Sequence, residues 1–281
     1  MRTLVVNADD LGLTVGVNDG IFDAHDHGIL TSASLMATAP AAAHAIRRAR
    51  SHSTLGIGVH LTLVDGTPIL PPDRIPTLVQ DDGRFHTSWR PFIVACLKGH
   101  VAMEDVEREL MAQIEHVAAQ GITATHLDSH KHVHLFPPVF EVVVHLADRF
   151  HIPVVRVPYE RTIRDLALFD MARRAYAVAG SRGVSTPRFV GRAMTGVMTE
   201  DALAAALRRL PPGHAELMVH PGYVDEALRQ LPTRLTTSRQ AEIALLTSAA
   251  VTQIVLDGDI RLVTHDLRVH RSSPGSYRHA S

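Results

Sequence analysis

Short runs of β-branched and apolar residues alternate along this chain with longer stretches whose apolar positions recur at helical spacing. That pattern predicts strands interleaved with amphipathic helices. Strands are expected over 3–7, 32–37, 56–63, 124–129, 154–157, 216–220 and 261–264. Helices are expected over 15–27, 41–51, 101–119, 138–149, 165–179, 199–209 and 239–256. Thr199 and the pair Thr237-Ser238 read as N-caps, with Glu242 four residues beyond Ser238 near the first turn. Strands that alternate with helices favour a mostly parallel sheet, so the class is α/β.

The length of 281 residues fits one distorted, TIM-like (β/α) barrel, with its site at the C-terminal ends of the strands. No composition shift marks a boundary, and one domain is expected over 1–271 with a disordered tail over 272–281. The segment 65–85 is rich in Pro, Asp and Gly and reads as a long surface loop.

An apolar content of 46% is ample for a core. Lys and Arg number 28 against 29 Asp and Glu, so no strongly basic surface points to nucleic acid. Nineteen histidines make the net charge climb steeply below about pH 6.5. Cys96 is the one cysteine, which excludes an intrachain disulfide; it lies in an apolar stretch and reads as a buried, inert thiol. The start Met1-Arg2-Thr3-Leu4-Val5-Val6-Asn7 turns polar too early for a signal peptide. No run reaches the ~18 apolar residues of a membrane span. A cytoplasmic location follows as an expectation, with peripheral membrane contact still open.

The run Thr125-His126-Leu127-Asp128-Ser129-His130-Lys131-His132-Val133-His134 changes the picture. Read as a strand, it sets His126, Asp128, His130, His132 and His134 on one face. Four imidazoles and a carboxylate make a poor apolar core and a good part of a metal site. The first strand ends in Asn7-Ala8-Asp9-Asp10-Leu11-Gly12. Neighbouring strand residues point apart, so the two carboxylates are expected to do different jobs, one as a metal ligand and one as a proton acceptor. His60 ends Gly56-Ile57-Gly58-Val59-His60, Arg156 lies inside an apolar strand, and His220 precedes Pro221-Gly222. His265 follows the last strand and reads as a rim residue.

Asp9, Asp10, His60, His130, Arg156 and His220 all fall near C-terminal ends of expected parallel strands, which form one mouth in a barrel. One carboxylate with two histidines would leave coordination positions open for water and substrate. Such a site lowers the pKa of bound water and polarises a carbonyl, and a free carboxylate beside it takes a proton. That combination suits hydrolysis of an amide or ester. A phosphoesterase or amidohydrolase, a non-catalytic metal-binding protein and a metal-free glycosidase stay open at this point.

Taken together and in this order, the Asn7–Gly12 run, Gly58-Val59-His60-Leu61-Thr62, the 125–134 run and His220-Pro221-Gly222 resemble the YdjC family of carbohydrate deacetylases. The resemblance implies a distorted (β/α) barrel that removes acetyl groups from N-acetylated sugars with a divalent metal, in a homodimer. It implies Asp10, His60 and His130 as ligands and Asp9 as the carboxylate that activates water. It implies His220 as the group that protonates the leaving amine or holds the oxyanion, and Arg156 as a substrate-binding or supporting residue. Imidazole-rich coordination favours zinc over magnesium, which also suits such a site. The stretch from His60 to Pro72 and Arg156-Val157-Pro158-Tyr159-Glu160 look like the hopanoid-associated HpnK branch, which implies an N-acetylglucosaminyl glycolipid as substrate.

Overall fold

The computed structural model describes residues 1–160 and 166–270. Asp165, expected to open a helix, and the tail expected to be disordered both lie outside them. The sheet is built from β1 (Arg2–Leu11), β2 (Ser32–Leu35), β3 (Gly56–Leu61), β4 (Leu127–Ser129), β5 (Arg188–Val190), β6 (Gly213–Val219) and β7 (Ile260–Leu262). Its order is β4-β3-β2-β1-β6-β5, and every pairing between these strands is parallel. The central β1 meets β6 along one edge, from Arg2↔Gly213 to Ala8↔Val219. On its other edge it meets β7 through Arg2–Leu4 and β2 from Asn7 onward. Single parallel bridges, Leu127↔Val155 and Val154↔Ser185, carry pairing from β4 towards the start of β5. The sheet is therefore curled into a half-barrel, consistent with a distorted barrel.

The helices cover the outside: α1 (Val15–His27), α2 (Ala42–Ala49), α3 (Trp89–Leu97), α4 (Met103–Ala119), α5 (Pro137–Arg149), α6 (Leu166–Ser181), α7 (Glu200–Arg208), α8 (Glu226–Gln230), α9 (Thr237–Leu246) and α10 (Ala249–Asp257). Thr14 starts α1 by accepting the amide of Val17, and Thr199 starts α7 by accepting that of Ala202. Helix α4 buries Val106, Leu110, Ile114 and Val117, one face at helical spacing. Strand β1 is buried from Leu4 through Leu11, as expected where helices cover one face and the barrel interior lies on the other.

Several expectations need correction. The 125–134 run is a strand only over Leu127–Ser129 and then winds into a 3-10 turn, His130–Leu135. Lys131 and His132 take left-handed φ of 55° and 54°, and Ser129 Oγ accepts the amide of His134 at 3.1 Å. The single face of alternating histidines does not exist. The stretch 154–157 pairs only by bridges at Val154 and Val155. The helix expected over 239–256 is two, because Ser248 caps the amide of Ala250 and starts a new one. The first residue of α9 is Thr237, and neither it nor Ser238 caps the helix. Strand β5 and helix α3 escape the pattern reading. The loop over 65–85 is pinned: Glu109 accepts the amides of Ile69 and Leu70, and Ile75, Leu78 and Phe85 are buried. Cys96 is half-buried, with burial raising its thiol to about 11.

Candidate metal centre

The end of β1 separates the two adjacent carboxylates. Asp10 adopts a left-handed φ of 66°, and the register with β2 shifts between Ala8 and Leu11. A bulge of this kind re-aims a side chain at the end of a strand. Asp9 consequently faces Arg156, while Asp10 faces His60, His130 and Arg239.

His60 Nε2 lies 3.6 Å from Asp10 Oδ1, and His130 Nδ1 lies 3.2 Å from the same oxygen. One ligand atom from each of the three residues falls within 4.8 Å of the others, so the set can hold a metal ion. The other ring nitrogen of His60, Nδ1, is 2.8 Å from Asp128 Oδ1. A carboxylate on the far side of a ligating imidazole fixes its tautomer and orientation. One carboxylate oxygen with two imidazole nitrogens is a donor set that suits zinc or another transition metal.

A second group, Asp9, His60 and Asp128, also has metal-like spacing. Arg156 already fills it. Its guanidinium donates through Nη1 and Nη2 to the two oxygens of Asp9, each at 2.7 Å. It also meets Asp128 Oδ2 at 2.6 Å and Glu216 Oε1 at 2.7 Å. Arg156 is fully buried, so its charge is shared among three carboxylates and no part of it reaches solvent.

Burial raises Asp9, but the Arg156 guanidinium and the neighbouring His60 more than reverse this and hold it at about 2. Burial likewise opposes ionisation of Asp10, and Arg239, whose Nη2 donates to Asp10 Oδ2 at 2.6 Å, leads the groups that take it well below the usual carboxylate range. For His60, burial pulls down while Asp128 pushes up, to about 9. His220 goes the other way: burial dominates and drops it to about 4, so its ring is neutral at pH 7. His220 Nε2 is 4.0 Å from Asp9 Oδ2, and its backbone amide donates to Glu242 Oε2 at 2.5 Å.

Asp9, Asp10, His60, His130 and His220 therefore share one location, with Arg156 behind Asp9. The other histidines are elsewhere. His126 pairs with the Ser34 and Thr125 hydroxyls and stacks on His265 at 3.7 Å between ring centroids. His265, expected at the rim, is buried in that stack. His134 reaches the carbonyl of Arg156, and His132 packs near Phe189. Sequence reasoning placed Asp128 in the metal-site run as its carboxylate without pairing it with His60, set Glu242 only near a helix start, and gave no role to Glu216 or Arg239. Asp128 had a signal, since it lies in the His-rich run. The other three look like ordinary helix or strand charges in one dimension.

These features define an α/β protein with a candidate metal centre of one carboxylate and two imidazoles, beside a second carboxylate fixed by arginine. The chain belongs to the YdjC family: the family model described as YdjC-like protein matches residues 3–257. It is 37% identical over 265 residues to the carbohydrate deacetylase of Geobacillus stearothermophilus, covering 94% of this chain and 97% of that one. It is 36% identical over 261 residues to the carbohydrate deacetylase of Brevibacillus brevis, covering 93% and 97%. Among solved structures it is similar to a candidate cellobiose-phosphate cleavage protein of Enterococcus faecalis V583, with a TM-score of 0.82 at 28% identity over 94% of this chain and 98% of that one.

Proposed function

We propose that this chain is a metal-dependent carbohydrate N-deacetylase, releasing acetate and a free amino sugar, carried by one TIM-like domain over residues 1–271. The observation that carries this reading is the divergence of two adjacent carboxylates: Asp10 joins His60 and His130, while Asp9 stays outside that set on Arg156. The deacetylase relatives support the reaction.

Asp10, His60 and His130 would hold a divalent ion, zinc in preference to magnesium, which when bound supplies Lewis-acid polarisation of the acetyl carbonyl and acidifies a water. Asp9 is placed to accept a proton from the attacking water; it is ionised throughout the neutral range, and Arg156 keeps its two oxygens in a fixed plane. Arg156, fully buried, acts through Asp9. His220 is a neutral imidazole placed to donate a hydrogen bond to the oxyanion. The proton the departing amine takes up is the one Asp9 has accepted, passed by way of His220, whose Nε2 lies 4.0 Å from Asp9 Oδ2.

The likeness of the stretches from His60 to Pro72 and from Arg156 to Glu160 to the hopanoid-associated branch favours an N-acetylglucosaminyl group on a hopanoid lipid, and the wider family resemblance favours a homodimer, placed in the cytoplasm. The test is acetate release from N-acetylglucosamine conjugates, chito-oligosaccharides and acetylglucosaminyl hopanoid, side by side, with metal-stripped and zinc-reloaded protein. Metal-dependent acetate from the hopanoid conjugate above the others is expected. Acetate only from soluble oligosaccharides removes the hopanoid assignment, and none from any removes the deacetylase reading.

A further inference from the structure

Helix α3 (Trp89–Leu97) is packed on the protein along one side, through Phe92 with Ile93, Ala95 and Cys96 half-buried beside it. Phe92 is its one buried residue. Trp89 is 41% exposed, Val94 48% and Leu97 72%. At 100° per residue Leu97, Arg90 and Val94 follow one another around the side opposite Phe92, with Lys98 at one border and Trp89, beyond the half-buried Ile93, towards the other. The Arg90 guanidinium sits 5.2 Å from the Trp89 ring centroid. From residue 84 to residue 103 the chain carries Arg84, Arg90 and Lys98 and no Asp or Glu.

An exposed apolar stripe on a helix flanked by cations, with a tryptophan on it, is the chemistry of a helix lying in a lipid headgroup layer. Nine residues are too few to cross a bilayer, and among the described residues no helix is long and apolar enough to do so. We propose that α3 is an interfacial helix that seats this protein on an anionic lipid surface. Charge complementarity selects this occupant over a second copy of the chain. A two-fold contact through this face would bury the Arg90 and Lys98 of both copies together, with no carboxylate in the segment to pair them. Anionic headgroups satisfy the same cations.

The segment that leads into the helix is tied to the rim of the metal centre. His86, three residues before α3, accepts the amide of Asp65 at 2.8 Å through its carbonyl. Asp65 in turn holds Lys131 at 2.5 Å and lies 3.7 Å from His130 Nε2. Seating α3 on a bilayer would set this rim of the site close to the headgroups. The inference does not depend on which sugar is deacetylated.

Trp89 is the chain's one tryptophan, so its fluorescence reports directly on this face. The full chain is mixed with vesicles of phosphatidylcholine alone, or of phosphatidylcholine with phosphatidylglycerol, and both emission and sedimentation are followed. A blue shift and co-sedimentation are expected with anionic vesicles, reduced by high salt, and little of either with phosphatidylcholine. The paired substitution Val94→Asp and Leu97→Asp, with circular dichroism and urea midpoint confirming the fold, should lower partitioning about tenfold or more. Absence of a shift with anionic vesicles overturns the proposal, as does undiminished binding by the folded variant. A lipid-free, concentration-dependent blue shift that the variant abolishes, with dimers in sedimentation equilibrium, would overturn it in favour of a second copy.

Discussion

His60 stands between two carboxylates: its Nδ1 is 2.8 Å from Asp128 Oδ1 and its Nε2 is 3.6 Å from Asp10 Oδ1. The Asp128 contact is within hydrogen-bond range and the Asp10 contact is not. Asp128 therefore holds the ring and presents Nε2 to the candidate metal position. Asp128→Asn should lower metal affinity about 10–100-fold. Competition for zinc against a chromophoric chelator measures it, and an unchanged affinity would separate Asp128 from the site.

Arg156 neutralises a cluster of three buried carboxylates, Asp9, Asp128 and Glu216. Arg156→Met leaves them facing one another without the guanidinium that joins all three, and breaking such a buried set costs about 3–5 kcal/mol. Arg156→Lys restores charge but cannot make the two-pronged contact to Asp9. Urea midpoints should fall for both variants, with the lysine variant between methionine and wild type. A lysine variant with normal turnover would show that the forked contact is dispensable.

Gly58 leaves room for the His126 ring. A Cβ at that position would lie 2.3 Å from His126 Cε1. The ring cannot retreat, because it is stacked on His265 and held by Ser34 and Thr125. Gly58→Ala should destabilise by about 1–3 kcal/mol, the usual range for overpacking. A melting temperature equal to wild type would mean that the stacked pair can move.

Glu242 supplies a pH signature. Burial raises its carboxyl from 4.5 to about 7, against the pull of the His220 amide and Arg239. A folded-state value above the unfolded one means that its contribution to stability is fully present below pH 4.5. It is lost as pH rises through about 7. At about 1.4 kcal/mol per pH unit the loss is at most about 3 kcal/mol. Glu242→Gln should remove it, so the variant gains stability relative to wild type between about pH 5 and pH 8. Parallel urea titrations that stay a constant distance apart would contradict this.

The parts of the site legible in sequence are those that end apolar strand runs. Asp9-Asp10, His60 and His220 stand where β1, β3 and β6 give out, and parallel topology brings such ends to one mouth. His130 lies at the same boundary after β4, but period-two reading carries the strand on through His134. It fails there because Ser129 takes the His134 amide and two left-handed residues turn the chain, a local hydrogen-bond choice that alternation does not register. Arg239 and Glu242 are buried on α9 and meet the site only through tertiary contact. Strand β5 has three residues, too few for any period to show. The break between α9 and α10 contains neither Gly nor Pro and rests on the Ser248 cap.

The most direct test separates the two adjacent carboxylates. Zinc content and acetate release are measured together for Asp9→Asn and Asp10→Asn. The account predicts that Asp9→Asn retains zinc and loses turnover by about 10²-fold or more, whereas Asp10→Asn fails to retain zinc. Near-normal turnover in Asp9→Asn, or full zinc retention in Asp10→Asn, would contradict the division of labour proposed for this pair.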